Sequence, residues 1–292
     1  MWIEDIYEGT VFRPPSEADS LILQATIGCS WGRCTFCVAF IEKKFRIKAI
    51  EELRSDVGKV LSYYKNATRI FLADGNALCM PTDQLEAEIR MLYSSFPKLS
   101  RVTLYGGPLD IREKTSEELQ RLKAAGLSMI YIGLESGSKD VLKLVKKGAQ
   151  PKDMVDAAKK LRDVGIPLSV IFILGLGGRE LSRSHSKETA KVLSAMDPPY
   201  AAALTLMVEP GAPILKDVKG KRITLQTPEE DLEELRDMVS RLDVTNMVFR
   251  VNHPSNYVTF RGALPKDKPQ LLEEIEDAIA QGEFRPESFR RL

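Results

Sequence analysis

The sequence predicts an α/β fold, a partial (β/α)6 TIM-like barrel followed by a short C-terminal helical extension. Three observations carry this reading. Short, near-continuously apolar runs rich in β-branched residues suit strands buried on both faces of a parallel sheet. Amphipathic stretches of helical period lie between them. From Leu21 to Gly211 there are about 190 residues, room for about six units where a complete eight-unit barrel uses roughly 31 residues for each.

The expected strands are 21–28, 69–73, 101–105, 129–134, 168–174 and 201–208, and the expected helices 48–64, 83–96, 116–125, 139–147, 152–164 and 185–196. Helix ends are marked by residue type. Thr115 with Glu118 forms a capping box and Asp83 with Glu86 a variant of one, while Gly126, Gly148 and Gly165 stand where a left-handed C-cap belongs. Beyond the barrel, Thr227-Pro228-Glu229-Glu230 opens a helix to about Leu242, and 268–280 reads as a last helix closed by Gly282. The expected organisation is a lead-in over 1–20, a barrel core over 21–211 and an extension over 212–292 that covers the barrel.

Composition excludes several classes of function. The chain of 292 residues is 43% hydrophobic, 28% charged and 7% aromatic, which suits a packed globular protein. With 42 Lys and Arg against 41 Asp and Glu, the net charge of +1 offers no general grip on nucleic acid or anionic lipid. The longest uncharged apolar stretch, 165–178, contains Pro167 and falls short of the ~20 residues of a membrane span. Acidic residues stand near the N-terminus where a signal peptide is basic, so the expected location is the cytoplasm.

Cysteine spacing is more informative. Cys29, Cys34 and Cys37 fall on one short loop after the first strand, and Cys79 stands apart. A disulfide framework spreads its cysteines to close long loops, whereas three on one loop converge on an inorganic centre. Neither histidine, His185 or His253, is near them in sequence. Three thiolates can ligate three irons of a [4Fe–4S] cube and leave the fourth iron an exchangeable position. A four-thiolate electron carrier and a zinc knuckle that borrows His or Asp are the alternatives.

The loop Gly28-Cys29-Ser30-Trp31-Gly32-Arg33-Cys34-Thr35-Phe36-Cys37 resembles that of the radical S-adenosylmethionine superfamily, with one residue more than the commonest Cys-x3-Cys-x2-Cys spacing. Gly133-Leu134-Glu135-Ser136-Gly137, Ile173-Leu174-Gly175-Leu176-Gly177-Gly178 and Asn252-His253-Pro254-Ser255-Asn256-Tyr257 extend the resemblance over nearly the whole chain. It implies a [4Fe–4S] cluster on Cys29, Cys34 and Cys37, and S-adenosylmethionine cleaved reductively to a 5′-deoxyadenosyl radical that abstracts hydrogen from an unidentified substrate. Phe36, the aromatic before the last cysteine, belongs to the same motif. Asp74-Gly75-Asn76 stands where the family usually has Gly-Gly-Glu, so Asp74, Gly75 and Asn76 are expected at the cofactor's amino group, although Asp-Gly-Asn is also common turn chemistry. Glu135 matches the carboxylate that takes the ribose hydroxyls, with Ser136 beside it, and Gly175 belongs to the segment under the adenine. Arg179 is a candidate partner of the cofactor carboxylate or simply a solvated residue.

Other residues divide between chemistry and packing. Cys79, between Leu78 and Met80, reads as a small buried hydrophobe. The basic runs Lys143/Lys146/Lys147 and Lys216/Lys219/Lys221/Arg222 read as solvated faces, or as docking surfaces for an acidic flavodoxin. Tyr105, Asp110, Tyr131, Glu209 and His253 are candidates to face the cavity. The resemblance also implies an oxygen-sensitive protein served by a flavodoxin or ferredoxin type electron donor. Competing readings are an iron–sulfur electron-transfer or sensing protein without turnover, and a zinc-stabilised binding module.

Overall fold

A computed structural model describes residues 6–291, which form two units interleaved in sequence. The first holds the chain up to Gly32, Ala39–Ile132 and Lys160–Leu168; the second holds Arg33–Val38, Gly133–Lys159 and the chain from Ser169 on.

In chain order the elements are β1 (Leu21–Gln24), β2 (Thr26–Ile27), β3 (Arg46–Ile47), α1 (Ile50–Tyr64), β4 (Arg69–Ala73), α2 (Thr82–Ser95), β5 (Arg101–Tyr105), α3 (Pro108–Glu113), α4 (Ser116–Ala125) and β6 (Leu127–Glu135). There follow α5 (Lys139–Leu144), α6 (Pro151–Val164), β7 (Leu168–Leu174), α7 (Gly178–Met196), β8 (Tyr200–Thr205), α8 (Leu215–Lys219), α9 (Pro228–Arg241), β9 (Met247–Val251), β10 (Phe260–Leu264) and α10 (Lys268–Gln281). Among the described residues the main sheet has eight strands, ordered β1-β4-β5-β6-β7-β8-β9-β10. The sheet is mostly parallel, and β10 runs antiparallel to β9. The alternation of strand and helix expected from the sequence is therefore present.

Three local expectations change. The first strand was expected over 21–28 but leaves the sheet at Gln24, and Thr26–Ile27 pairs antiparallel with Arg46–Ile47. The cysteine loop thus leaves and returns through a two-stranded ribbon. The extension after Gly211 is not purely helical: α9 and α10 form as expected, but β9 and β10 add two strands to the sheet. Met247, Phe249 and Val251 are buried and alternate with the half-buried Val248 and exposed Arg250, the period of a strand with one buried face. Finally, α7 starts at Gly178, seven residues before the expected His185, so the glycine-rich segment runs directly into a helix.

The lead-in packs within the first unit. Glu17, fully buried, accepts from Arg101 at 2.6 Å and from the Tyr131 hydroxyl at 2.5 Å, with Arg69 at 3.7 Å and the Ser20 hydroxyl also donating. Burial and the Glu17 contact keep the Tyr131 phenol protonated, its pKa raised above the ordinary value. Above this network Phe71, Tyr105 and Tyr131 meet edge to face at centroid separations of 5.0, 5.9 and 6.1 Å. Tyr131 is therefore part of a structural network. Among the described residues no helix is long and apolar enough to cross a membrane.

Replacing Glu17 leaves two guanidinium groups without their common carboxylate. Glu17→Ala is expected to lower stability by about 3 kcal/mol, the low end for breaking a buried pair because both arginines retain some access to water. Urea unfolding monitored by circular dichroism measures it; an unchanged midpoint contradicts the assignment.

Candidate functional site

In the first unit, polar groups gather where β4 ends against the start of the cysteine loop. Asp74 is buried, and its Oδ2 accepts from Lys43 Nζ at 2.7 Å, Gly28 N–H at 3.0 Å and Gln24 Nε2 at 3.3 Å. Its Oδ1 is buried without a hydrogen-bond partner. Burial pushes the carboxyl above the usual range, against the opposing pull of Lys43 and the Gly28 N–H.

Gly75 donates its N–H to the Gly28 carbonyl at 3.0 Å. A Cβ on Gly75 would lie 2.7 Å from Phe40 Cε2 and 2.8 Å from Cys29 Cβ, so this position admits no side chain without movement. Asn76 is buried and donates from Nδ2 to Ser30 Oγ and to Asp110 Oδ2, each at 2.7 Å, while its Oδ1 has no partner. Asp110 comes from α3, and burial raises its pKa. Cys79 is hydrogen-bonded by Ser30, and burial pushes its thiol up to about 11, so it is a neutral thiol at physiological pH.

Cys29 belongs to the first unit, and Cys34 and Cys37 to the second. All three are half-buried and none of the four cysteines is in a disulfide. Within the second unit, Thr35 N–H donates to the Val145 carbonyl at 2.9 Å and the Thr35 carbonyl accepts from Ile214 N–H at 2.8 Å. Phe36 packs on an apolar group that includes Val141, Val145, Ile173 and Ile214, so the aromatic has a packing role whatever else it touches. Among the described residues no three His, Cys, Asp or Glu side chains are already gathered as a metal site.

Glu135 ends β6 with a left-handed φ of +61°, and its Oε1 accepts from Lys147 at 2.9 Å. The room comes from Gly133, where a Cβ would lie 2.0 Å from that same Oε1. Lys147, expected on a solvated face, is instead Glu135's partner. The Ser136 hydroxyl, expected at the cofactor, is buried and bonded to His185 Nδ1 at 2.8 Å, while His185 Nε2 meets the Ile173 carbonyl at 3.0 Å. Gly175, with φ of +74°, donates its N–H to Glu234 Oε1 at 2.8 Å, and a Cβ there would lie 2.7 Å from Asp231 Oδ1. Arg179, expected beside a cofactor carboxylate, pairs instead with Glu230 at 2.7 Å.

A profile of the Radical SAM superfamily matches residues 23–189, more than half of the chain. The chain belongs to that superfamily. Radical SAM enzymes use a [4Fe–4S] cluster and S-adenosylmethionine. Among curated relatives, the heme chaperone HemW of Bacillus subtilis is 21% identical over 175 residues, covering 60% of this chain and 46% of its own length. The chain spans less than half the length of the first curated relatives it matches. Among solved structures, coproporphyrinogen III oxidase (HemN) from Escherichia coli aligns with a TM-score of 0.57 at 15% identity, covering 76% of this chain and 51% of that one. The radical S-adenosylmethionine methyltransferase TsrM from Kitasatospora setae, with cobalamin and a [4Fe–4S] cluster bound, aligns with a TM-score of 0.54 at 17% identity, over 74% of this chain and 44% of that one. At such identities these structures establish the radical SAM partial-barrel fold.

The residues present fit the superfamily's two groups. Three half-buried thiols on one loop are of the soft donor type that iron–sulfur clusters take. Buried acceptors without partners, Asp74 Oδ1 and Asn76 Oδ1, belong to the two residues that flank Gly75, the glycine packed against Cys29, and suit an ammonium donor. Sequence reasoning missed Lys43, which gives no motif signal, and Asp110's hydrogen bond to Asn76. The pair Gly106-Gly107 before Asp110 is the same strand-end glycine signal as elsewhere and was available: a Cβ on Gly107 would lie 2.5 Å from Asp110 Oδ2.

Gly75→Ala is expected to lose about 1–3 kcal/mol of stability through overpacking, and to lower the iron retained after reconstitution by displacing Cys29. Gly58→Ala in α1 is the control, since a methyl there meets nothing within 4 Å; it should gain about 0.5–1 kcal/mol. Parallel thermal melts and iron assays compare them, and equal behaviour contradicts the close approach at Gly75.

Proposed function

We propose that this radical SAM protein holds a [4Fe–4S] cluster on Cys29, Cys34 and Cys37 and cleaves S-adenosylmethionine reductively. The observation that carries the proposal is the packing of Gly75 against Cys29 beside the unpartnered Asn76 Oδ1. When bound, the cluster on these cysteines would supply the reducing electron, and S-adenosylmethionine the hydrogen-abstracting chemistry, of the superfamily.

The chain's own residues bind and orient. The three thiols hold three irons and leave one iron open to the cofactor. Asn76 Oδ1, with Asp74 Oδ1, accepts from the cofactor's amino group, the part usually played by an acid in this motif. Asn76 stays in place because its Nδ2 is held by Ser30 and Asp110. Glu135 accepts from the ribose hydroxyls, aimed by its ion pair with Lys147. Gly175, pinned by Glu234, presents flat backbone to the adenine. We assign Ser136 and Arg179 supporting roles through His185 and Glu230. A flavodoxin or ferredoxin type protein supplies the electron, and the reducing cytoplasm keeps the thiols reduced.

Anaerobic reconstitution with iron and sulfide tests the ligand set. Alanine at Cys29, Cys34 or Cys37 should abolish the EPR signal of the reduced cluster, whereas Cys79→Ala should keep the iron. Loss of a quarter or more of the iron in Cys79→Ala would mean four thiolate ligands and an electron carrier. With dithionite, the intact protein should yield 5′-deoxyadenosine on chromatography; an intact cluster without any cleavage product supports the sensing role instead.

Glu135→Gln removes the charge from an acceptor and should weaken S-adenosylmethionine binding by about 1.5–3 kcal/mol, roughly ten- to a hundredfold, with the cluster intact. Ser138→Ala is the matched control by calorimetry. Equal losses in the two variants would reduce Glu135 to a capping role.

A further inference from the structure

The segment Asn252-His253-Pro254-Ser255-Asn256-Tyr257 is a turn of the second unit held by side-chain hydrogen bonds on both sides. It follows β9 and is bonded to the end of β8. Asn256 donates from Nδ2 to the Ala203 carbonyl at 2.9 Å and accepts at Oδ1 from the Thr205 hydroxyl at 3.0 Å. Ser255 Oγ accepts from Thr205 N–H at 3.2 Å. From the other side, the buried Arg290 donates to the Ser255 carbonyl at 2.6 Å and to the Leu206 carbonyl at 2.8 Å, with its guanidinium 4.0 Å from the Tyr257 ring centroid.

This frame fixes the protonation of one side chain. His253 Nδ1 accepts from the Ser255 backbone N–H at 3.1 Å and lies 2.8 Å from Ser255 Oγ. A backbone N–H only donates, so Nδ1 carries no proton and the ring proton is on Nε2. Among the described residues no acceptor meets Nε2. β8 and β9 are parallel, so the turn lies at the C-terminal strand ends, the edge where (β/α) folds gather their chemistry.

We propose that His253 contacts the substrate, its fixed Nε2–H donating a hydrogen bond to a carbonyl or anionic oxygen of the molecule that receives the radical. The proposal rests on the preceding reading only in placing substrate at this edge. A neutral donor on a rigid frame discriminates by geometry: it favours an oxygen acceptor and offers nothing to an ammonium group. Burial supports this by pushing the imidazole down to about 4, so the ring stays neutral at physiological pH.

Long-range proton–nitrogen correlation spectra of the full chain test this without cluster or cofactor, with His253→Gln identifying the resonance. The expected spectrum shows Nε2 protonated and Nδ1 unprotonated from neutral pH down to about 5. Titration with acetate or inorganic phosphate should shift Nε2 saturably, and methylammonium should not. A ring protonated on Nδ1, titration near the ordinary histidine value, no saturable shift with either anion, or an equal shift with methylammonium overturns the proposal. Because the readout needs no S-adenosylmethionine cleavage, the two failures are distinguishable. A failed titration on a chain that forms 5′-deoxyadenosine overturns this inference alone. A chain that never forms 5′-deoxyadenosine overturns the earlier reading and, with it, a radical-receiving substrate at His253, so that a positive titration there marks an anion site only.

Discussion

One oxygen of Asp74 receives both the Gly28 N–H, where the cysteine loop begins, and the Lys43 ammonium, where it returns. A buried carboxylate without partners would cost several kcal/mol, so its ion pair and its backbone donor are held together by the same desolvation. The loop's two ends are thereby fixed to the exit of β4. Gly75 can then pack directly on Cys29, and Asn76 can turn its amide toward Ser30 and Asp110. The position of Cys29 depends on this clamp.

The second unit solves a related problem with glycine and acid. Gly133 leaves the space that the Glu135 carboxylate fills, and Gly175 has the positive φ that lets its N–H reach Glu234. In both places a missing side chain admits an acidic one from elsewhere. Ser136 and His185 continue the pattern inward: Ser138 N–H donates to Ser136 Oγ, which bonds His185 Nδ1, and the ring's other nitrogen meets the Ile173 carbonyl at the end of β7. Buried polar groups connected in this way hold strand ends in one geometry.

Much of this was legible in the residues alone. The apolar runs marked the six expected strands, because a strand buried on two faces has to be apolar throughout. Helix boundaries were readable wherever a local bond sets them, as at Thr115 with Glu118 and Thr227 with Glu230. β9 and β10 were harder: with one face buried and Gly262 in the middle of β10, their period is short and the sheet edge, not propensity, makes them strands. Lys147 looked like one of three surface lysines until Glu135 was found 2.9 Å away.

The sequence by itself determined the α/β class, the grouping of Cys29, Cys34 and Cys37 on one short loop, and the glycine-marked strand ends, because each depends on residue type and spacing within a few positions. Only the tertiary structure decided what those ends touch. Asp74 is bonded to Lys43 across 31 positions, Ser136 to His185 across 49 and Arg179 to Glu230 across 51. The tautomer of His253 follows from a local bond to Ser255, but its placement follows from Thr205 and Arg290, which lie far off in the chain. Hydrogen bonds and ion pairs act over about 3 Å in space, and no spacing rule in the chain encodes which distant residue will arrive there.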